Sequence, residues 1–314
     1  MSQQRSAADP ILLATRLRAA PEVVVTRMTL GLTIYLADGH FWASSGARSL
    51  YERFAESVGV GSLRWFCTST NAAWRVVTPE IVPLLADHLS VKHLARRARH
   101  LFEFRIADDT AAPSIAYTYR EIDPSHPRRS GFVQLAFPAH FSVDELLQLA
   151  IEVGQRLPIY SAVAGWVPSY SRHHEREAFR RIYNQCRRYL GMDVQVPEVG
   201  SWHAKEGLVG ASWLTLVGAP LAERLGLDLA GLRTHSWRAE VAVFPLQRAT
   251  LIRAGRSPSL GDVNLMEYPA AQAEVARVLA PYQRQELAVL PGRFGEEDAT
   301  PRWARRFVEP MAWS

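Results

Sequence analysis

The sequence lacks several features that would place it in a specialised class of protein. It has only two cysteines in 314 residues, Cys67 and Cys186, without a pairing pattern that would predict a disulfide framework or a zinc knuckle. We expect both to be buried thiols in a reducing compartment. No apolar run approaches the ~20 residues that a membrane-spanning helix needs. The apolar run at residues 10–14 is soon followed by Arg16 and Arg18, so we predict neither a signal peptide nor export.

Lysine is also scarce, which affects how the basic charge is interpreted. The formal net charge is +5 and the pI is about 9.4, but Lys92 and Lys205 are the only lysines. The remaining positive charge is arginine dispersed along the chain, a pattern typical of a solvated surface. With 48% hydrophobic residues, the chain can form one large domain or two ordinary ones.

Hydrophobic periodicity predicts an ordered series of strands and helices. Alternation from Met28 to Leu36 predicts a half-buried strand over residues 27–36. Ser142 and Glu145 form a capping-box pair at the start of a later helix. The other elements of the two series are a helix over 47–58 and strands over 63–68, 132–137 and 159–167, with the capped helix over 143–157.

Each half of the chain also carries a pair of β segments, 101–106 with 114–121 and 237–244 with 249–253. The sequence therefore predicts an α+β protein with a mixed or antiparallel sheet and packed helices. The repeated order indicates two similar β-α-β-α-β-β halves in tandem, although an ordinary mixed fold could show it without duplication.

Turn-forming residues predict the domain boundaries. Pro124 and Pro127 mark a linker between the halves, and Pro83 limits a helix that begins near Thr78. Within the second half we expect a helix over 175–190, a strand over 213–217 and a helix over 220–225. The predicted organisation is an N-terminal extension at 1–22, a first half at 23–123, a second half at 128–290 with an insertion at 191–233, and a C-terminal tail at 291–314.

The search for catalytic and cofactor motifs is largely negative. Residues 210–214 fail the last position of the G-x-S-x-G elbow, and Gly59-Val60-Gly61 lacks the third glycine of a dinucleotide loop. We predict no cofactor and no enzymatic activity. An acid–base pair that meets only in the fold stays open, with Asp262 and Glu267 as the pair to examine, although Asp262 also fits turn chemistry.

Histidine clusters do not predict a metal site. His173, His174, Glu175 and Glu177 are the densest group of potential ligands, but their spacing is not that of a zinc site. No cysteine or carboxylate pair joins His88, His93 and His100 at ligand spacing, so we predict no metal.

Two arginine-rich helices leave nucleic-acid binding as an alternative function. The basic residues are Lys92, Arg96, Arg97, Arg99 and His100 on one helix, and Arg176, Arg180, Arg181, Arg187 and Arg188 on the other. Such side chains contact phosphates, but neither stretch has interleaved aromatics or a recognition helix after it.

Several segments in the C-terminal third resemble one family in order and spacing. Residues 251–255, then Pro258, then 260–264 read Leu-Ile-Arg-Ala-Gly, Pro and Leu-Gly-Asp-Val-Asn, and residues 207–218 contain Trp213-Leu214-Thr215. These are similar to the "i-r-A-G-x-x-P-x-l-G-D-v-N" and "G-v-n-W-L-T-f-L-G" segments of a bacterial type VI secretion immunity family. The main match covers residues 189–307, and Ala211-Ser212 departs from the pattern.

The resemblance implies a protein that binds and blocks a toxin delivered by type VI secretion. Without a signal peptide, the toxin is expected to act in the cytoplasm, as a nuclease or another enzyme with a cytosolic substrate. Because a nuclease cleft is basic, we expect acidic residues to contact it, and the candidates are two short acidic runs, Asp108-Asp109 and Glu296-Glu297-Asp298. We expect the motif residues Trp213, Gly255, Pro258, Gly261 and Asp262 to be structural.

Overall fold

The computed structural model describes residues 14–16, 24–37, 41, 45–69, 71–96, 101–123, 125, 126 and 128–313. Within these residues, eleven strands form one antiparallel sheet. They are β1 (Ala14–Arg16), β2 (Val24–Leu36), β3 (Trp65–Thr68), β4 (Asn71–Val76), β5 (Glu103–Ala107), β6 (Ala116–Arg120), β7 (Phe132–Pro138), β8 (Ile159–Tyr170), β9 (Leu214–Gly218), β10 (Val241–Pro245) and β11 (Ala249–Ala254).

The described helices include eleven α-helical segments and several 3-10 turns. The α-helices are α1 (Gly46–Val58), α2 (Val82–Leu85), α3 (Val91–Ala95), α4 (Val143–Arg156), α5 (Glu175–Arg188), α6 (Pro197–Gly200), α7 (Ala219–Leu225), α8 (Leu229–Thr234), α9 (Ala270–Leu279), α10 (Ala299–Ala304) and α11 (Pro310–Trp313). The 3-10 turns are Val60–Ser62, Ala86–Leu89, Arg172–His174, Val263–Leu265, Ala280–Tyr282 and Gly292–Gly295. None of the helices in the described ranges is long and apolar enough to cross a membrane.

The sheet runs in the order β10-β11-β9-β8-β2-β7-β6-β5-β3-β4, with β1 paired to β2. Both predicted halves contribute strands to it, and β2 lies between β8 and β7 of the second half. The α+β class with an antiparallel sheet is therefore confirmed. The tandem duplication stays a prediction, as do the predicted domain limits.

Helices cover the first face of the sheet along most of its width. Ser142 caps α4, because its hydroxyl accepts the Glu145 N–H at 3.3 Å. The apolar stripes of α1 and α4 then pack on strand residues such as Leu32 and Phe104. Each large apolar side chain buried in this way contributes about 1.5–3 kcal/mol to folding.

The second face is covered only in part. Beside β9 and β11, the helices α5, α9 and α10 form a second core with Val217 and Ile252. On β5 and β6 the residues that alternate with the first core are polar, such as Arg105 and Thr118, and they remain half-buried. This end of the sheet is open.

The expectation that the strand over residues 27–36 is half-buried is wrong. Thr29, Thr33 and Tyr35, on its polar side, are buried as completely as its apolar side. The segment after α5 covers them, since the Thr33 hydroxyl bonds to Gln195 and the backbone of Gly200 lies against the Tyr35 hydroxyl. A polar face is buried here because other polar groups satisfy it.

Other predicted elements are confirmed with changed limits. The strand expected over 237–244 begins at Val241, because the Glu274 carboxylate accepts the N–H groups of Arg238 and Ala239 at 2.6 Å. The strand expected over 213–217 is β9, which lies inside the sheet. The residues outside the described ranges include the predicted linker prolines Pro124 and Pro127, most of the 1–22 extension, and Arg97, Arg99 and His100.

Sequence reasoning missed β4 and β1. Its prediction that the two cysteines are buried thiols is confirmed. Cys67 is 7% exposed, Cys186 is fully buried, and both are free thiols. Burial raises the pKa of both thiols, which keeps them protonated.

Candidate functional site

The open part of the second sheet face forms the floor of a cleft of about 310 Å³. Gly31 of β2, Thr118 of β6 and Gln134 of β7 contribute to this floor, and Trp74 of β4 lies at one side. The walls come from the β5–β6 turn at residues 109–113, from residues 167–173 at the end of β8, and from residues 195–198 at the start of α6. The cleft therefore joins segments that are distant in sequence.

An ion-pair network crosses the cleft. Glu198 accepts hydrogen bonds from Arg105, at 3.4 Å, and from Arg172. Arg105 also forms an ion pair with Glu103 on the same strand. Burial tends to raise the pKa of Glu198, but Arg172 and Arg105 outweigh it and hold that pKa below its ordinary value.

The chemistry of this network favours polar recognition. A carboxylate held ionised between two guanidinium groups is a poor proton donor or acceptor near neutral pH. Its Oε1 oxygen accepts from both Arg105 and Arg172, and the remaining N–H groups of these arginines can bond a partner. The site thus resembles a recognition surface in its chemistry.

Both residues of the first predicted acidic run are half-buried and hold the β5–β6 turn, since Asp109 accepts the Ala111 N–H at 3.0 Å. Asp108 holds the β5–β6 turn, because its carboxylate accepts the N–H groups of Ser114 and Ile115 at 3.0 and 3.1 Å. Asp109 lines the cleft, and its side chain is 38% exposed. Arg27 lies 3.9 Å from each carboxylate.

The second predicted acidic run lies near the same cleft. Glu296, Glu297 and Asp298 are all exposed, and Glu296 lines a neighbouring hollow at the start of α5. His173 lines both the cleft and this hollow. We call the two together the concave surface. It brings Asp109 and Glu296, far apart in sequence, to one side of the molecule.

A comparison with protein families assigns the chain. The model of the family TsiV, described as type VI immunity for VRR-NUC, matches residues 48–307. The chain belongs to this family. The resemblance found in residues 189–307 is confirmed, and the match extends it through most of the first half.

The fold is similar to that of a solved type VI protein. The Pseudomonas aeruginosa T6SS protein PA0821 aligns with a TM-score of 0.78 and 17% sequence identity, over 97% of this chain and 91% of that chain. At this identity the likeness shows a shared fold. No curated protein matches the sequence.

The motif residues of this TsiV chain lie inside the fold. Trp213 is 1% exposed, and its indole N–H donates to the Gly255 carbonyl at 3.2 Å. Gly255 has φ +86°, a left-handed conformation that favours glycine. The Pro258 carbonyl accepts the Trp166 indole N–H at 3.0 Å. These contacts tie the turn after β11 to β8 and β9.

The end of the same motif forms a capped turn. Asp262 accepts the Asn264 N–H at 3.0 Å and the guanidinium of Arg188 at 2.6 and 3.0 Å. Hydrogen bonds from Arg188 hold the pKa of Asp262 below its ordinary value. The acid–base pair of Asp262 and Glu267 was left open by the sequence, and in the structure the Glu267 N–H donates to the Asp262 backbone carbonyl at 3.0 Å, within the turn that the sequence also predicted.

Three arginines of α5 form ion pairs with carboxylates of the same chain. Arg180 and Arg181 both bond to Glu177, at 2.8 and 2.6 Å, and Arg188 bonds to Asp262. On the other predicted basic helix, Lys92 lies in α3 and Arg96 at its end. Arginines bound to carboxylates in this way are less available to phosphates.

Sequence reasoning missed the cleft residues Arg105, Arg172 and Glu198. They carry no local motif, and the one available signal was the polar side of β5, where Glu103 and Arg105 alternate with apolar residues. It also missed a small cluster of His203, Glu206 and Glu286, whose potential ligand atoms lie within 4.8 Å of one another. The two glutamates are exposed, and such groups are common without an ion.

Proposed function

We propose that this chain is an immunity protein that binds and neutralises a cognate type VI effector in the cytoplasm. The observation that carries the proposal is the family match over residues 48–307. The family description names VRR-NUC as the target, so we propose that the effector is a nuclease with that domain. This chain would inhibit the effector by occupying the effector's active site and would catalyse no reaction of its own.

We propose the concave surface as the region that meets the effector. A nuclease attracts nucleic acid with a basic cleft, and an inhibitor of such a cleft needs acidic groups at the contact. The partly exposed carboxylate of Asp109 and the exposed carboxylate of Glu296 lie at two ends of this surface, on a chain whose formal net charge is +5. The paired arginines of the cleft can add directed hydrogen bonds.

Co-purification of the chain with the effector encoded beside it tests the function. Protection requires a Kd of about 1 nM or below, which corresponds to about −12 kcal/mol. Calorimetry should show such binding, and the complex should have lost nuclease activity. Failure to bind the effector would refute the proposed function, and a steep salt-dependent affinity for DNA alone would favour the nucleic-acid alternative.

Charge reversal tests the proposed surface. The variant Asp109→Lys/Glu296→Lys should slow association and weaken binding at low salt, because complementary charges steer the encounter. The double variant Glu52→Lys/Glu56→Lys is the matched control, since it changes the net charge equally and both residues are exposed on α1, which covers the first face of the sheet. If both variants bind the effector equally, the concave surface is not the contact.

A further inference from the structure

A short loop after the family motif exposes three large apolar side chains. Leu265, Met266 and Tyr268 are 65%, 79% and 45% exposed. Of the ten large apolar residues exposed in the described part of the chain, three thus lie within four consecutive positions. We call these three residues the apolar tip. Apolar patches of a few hundred Å² on a protein surface commonly mark interaction sites.

The base of the loop is rigid. Asp262 caps it by accepting the Asn264 N–H at 3.0 Å, and Arg188 of α5 holds the same carboxylate. Gly261 has φ +61°, and a Cβ there would lie 2.8 Å from the Glu267 carbonyl oxygen. The Met266 N–H donates to the Val263 carbonyl at 3.1 Å. The tip is therefore presented in a fixed conformation, which lowers the entropy lost on binding.

The backbone at the tip is strained. Met266 has φ +57° and ψ +28°, the left-handed conformation, which is unfavourable for a residue with a side chain. Its side chain is almost fully exposed, so core packing does not explain why methionine stands there. Strain of this kind is often found at functional sites, and methionine adapts well to apolar pockets.

We propose that the apolar tip is an anchor that inserts into an apolar pocket of the cognate effector. This inference rests on the proposed function and adds a contact outside the concave surface. A convex tip of three side chains fits a pocket, and a pair of such tips is far smaller than the ~1,200–2,000 Å² that a stable dimer buries. The effector is therefore the occupant that fits, rather than a second copy of the chain.

The apolar tip and the concave surface are close enough to belong to one interface with the effector. The α5 helix has its first residues at the concave surface and its last residue, Arg188, at the base of the loop. Its 14 residues span about 21 Å, a distance that one interface of standard size can cover. Aliphatic and aromatic anchors of this kind supply most of the affinity in many interfaces.

The experiment compares three variants of the full chain with the wild type for effector binding by calorimetry. Met266→Asp should weaken the affinity at least 30-fold, because it places a charge in an apolar pocket. Met266→Gly should weaken it about 10-fold while leaving the melting temperature unchanged or higher, because glycine relieves the backbone strain. Leu84→Asp is the matched control, since Leu84 is 56% exposed in α2, a helix associated with the first core.

The outcomes separate this inference from the proposed function. If the wild type fails to bind the effector, the proposed function is wrong. If the wild type binds and both Met266 variants bind as tightly as Leu84→Asp, the anchor alone is refuted. Should the wild type self-associate through the tip, with no effect of Met266→Asp on effector affinity, the second copy is the occupant and the anchor is again refuted.

Discussion

The buried ion pair between Arg306 and Asp193 gives the most direct test of how the fold is held together. Their side chains are 4% and 8% exposed, and the Arg306 Nη2 lies 3.5 Å from the Asp193 carboxylate. Arg306 also donates to the carbonyls of Leu190, at 2.8 Å, and Trp303, at 3.1 Å. This residue joins the closing segment of the chain to the segment that covers the second sheet face.

The expected cost of Asp193→Asn follows from these distances. Asparagine keeps the shape of the side chain but leaves the buried guanidinium without an opposite charge. At 3.5 Å and an effective dielectric constant of about 20, Coulomb's law gives an attraction of about 4.7 kcal/mol. Relief of the carboxylate's own burial cost offsets part of it, so we expect a loss of about 3 kcal/mol in the free energy of unfolding.

Urea denaturation followed by circular dichroism measures this loss. Arg306→Met should cost a similar amount, because it leaves the buried Asp193 carboxylate without an opposite charge. The double variant Asp193→Asn/Arg306→Met should cost less than the sum of the single changes. A loss below about 1 kcal/mol for Asp193→Asn, or strictly additive effects in the cycle, would refute the reasoning.

Three further predictions concern the strands and turns of the family motif. Gly218→Ala should give insoluble or strongly destabilised protein, because its Cβ would lie 1.8 Å from the Ile159 carbonyl oxygen; a soluble variant with the wild-type melting temperature contradicts this close approach. Trp213→Phe should cost about 2 kcal/mol in urea denaturation, through lost volume and the lost bond to Gly255; an unchanged midpoint would argue against that bond. The pKa of Asp262 lies below its ordinary value of 3.8, so its ionised form contributes stability above pH 3.8 that is lost as the pH falls through the lower, folded-state pKa. Asp262→Asn should therefore flatten the acid limb of the stability profile below pH 3.8, and an acid limb identical to that of the wild type would show that Asp262 does not contribute.

The fold class and the main elements could be predicted because they depend on local patterns. The alternation of apolar and polar residues is enough to predict β7, and the apolar stripe that follows the N-cap Ser142 is enough to predict α4. The turn after β11 was also readable, since Gly255 and Gly261 adopt left-handed conformations that few other residues tolerate. The family followed from the order of these same short segments.

Other features depended on contacts between distant parts of the chain. The polar side of β2 looks solvent-facing in sequence, but residues 195–200 lie over it and satisfy Thr33. The short strand β4 has no apolar alternation of its own and exists because β3 pairs with it. Neither the burial of the polar side of β2 nor the formation of β4 can be predicted from residues that are close in sequence.

The candidate site likewise has some features that follow from local sequence and others that depend on tertiary contacts. The sequence by itself identified two short acidic runs, Asp108-Asp109 and Glu296-Glu297-Asp298, and the turn-forming residues at the end of the family motif. Only the tertiary structure decided that Asp109 and Glu296 border one concave surface, that Glu198 lies between Arg105 and Arg172, and that Leu265, Met266 and Tyr268 are exposed. Local conformation depends on neighbours in sequence, whereas burial and charge pairing depend on which strands and helices the folded sheet brings together.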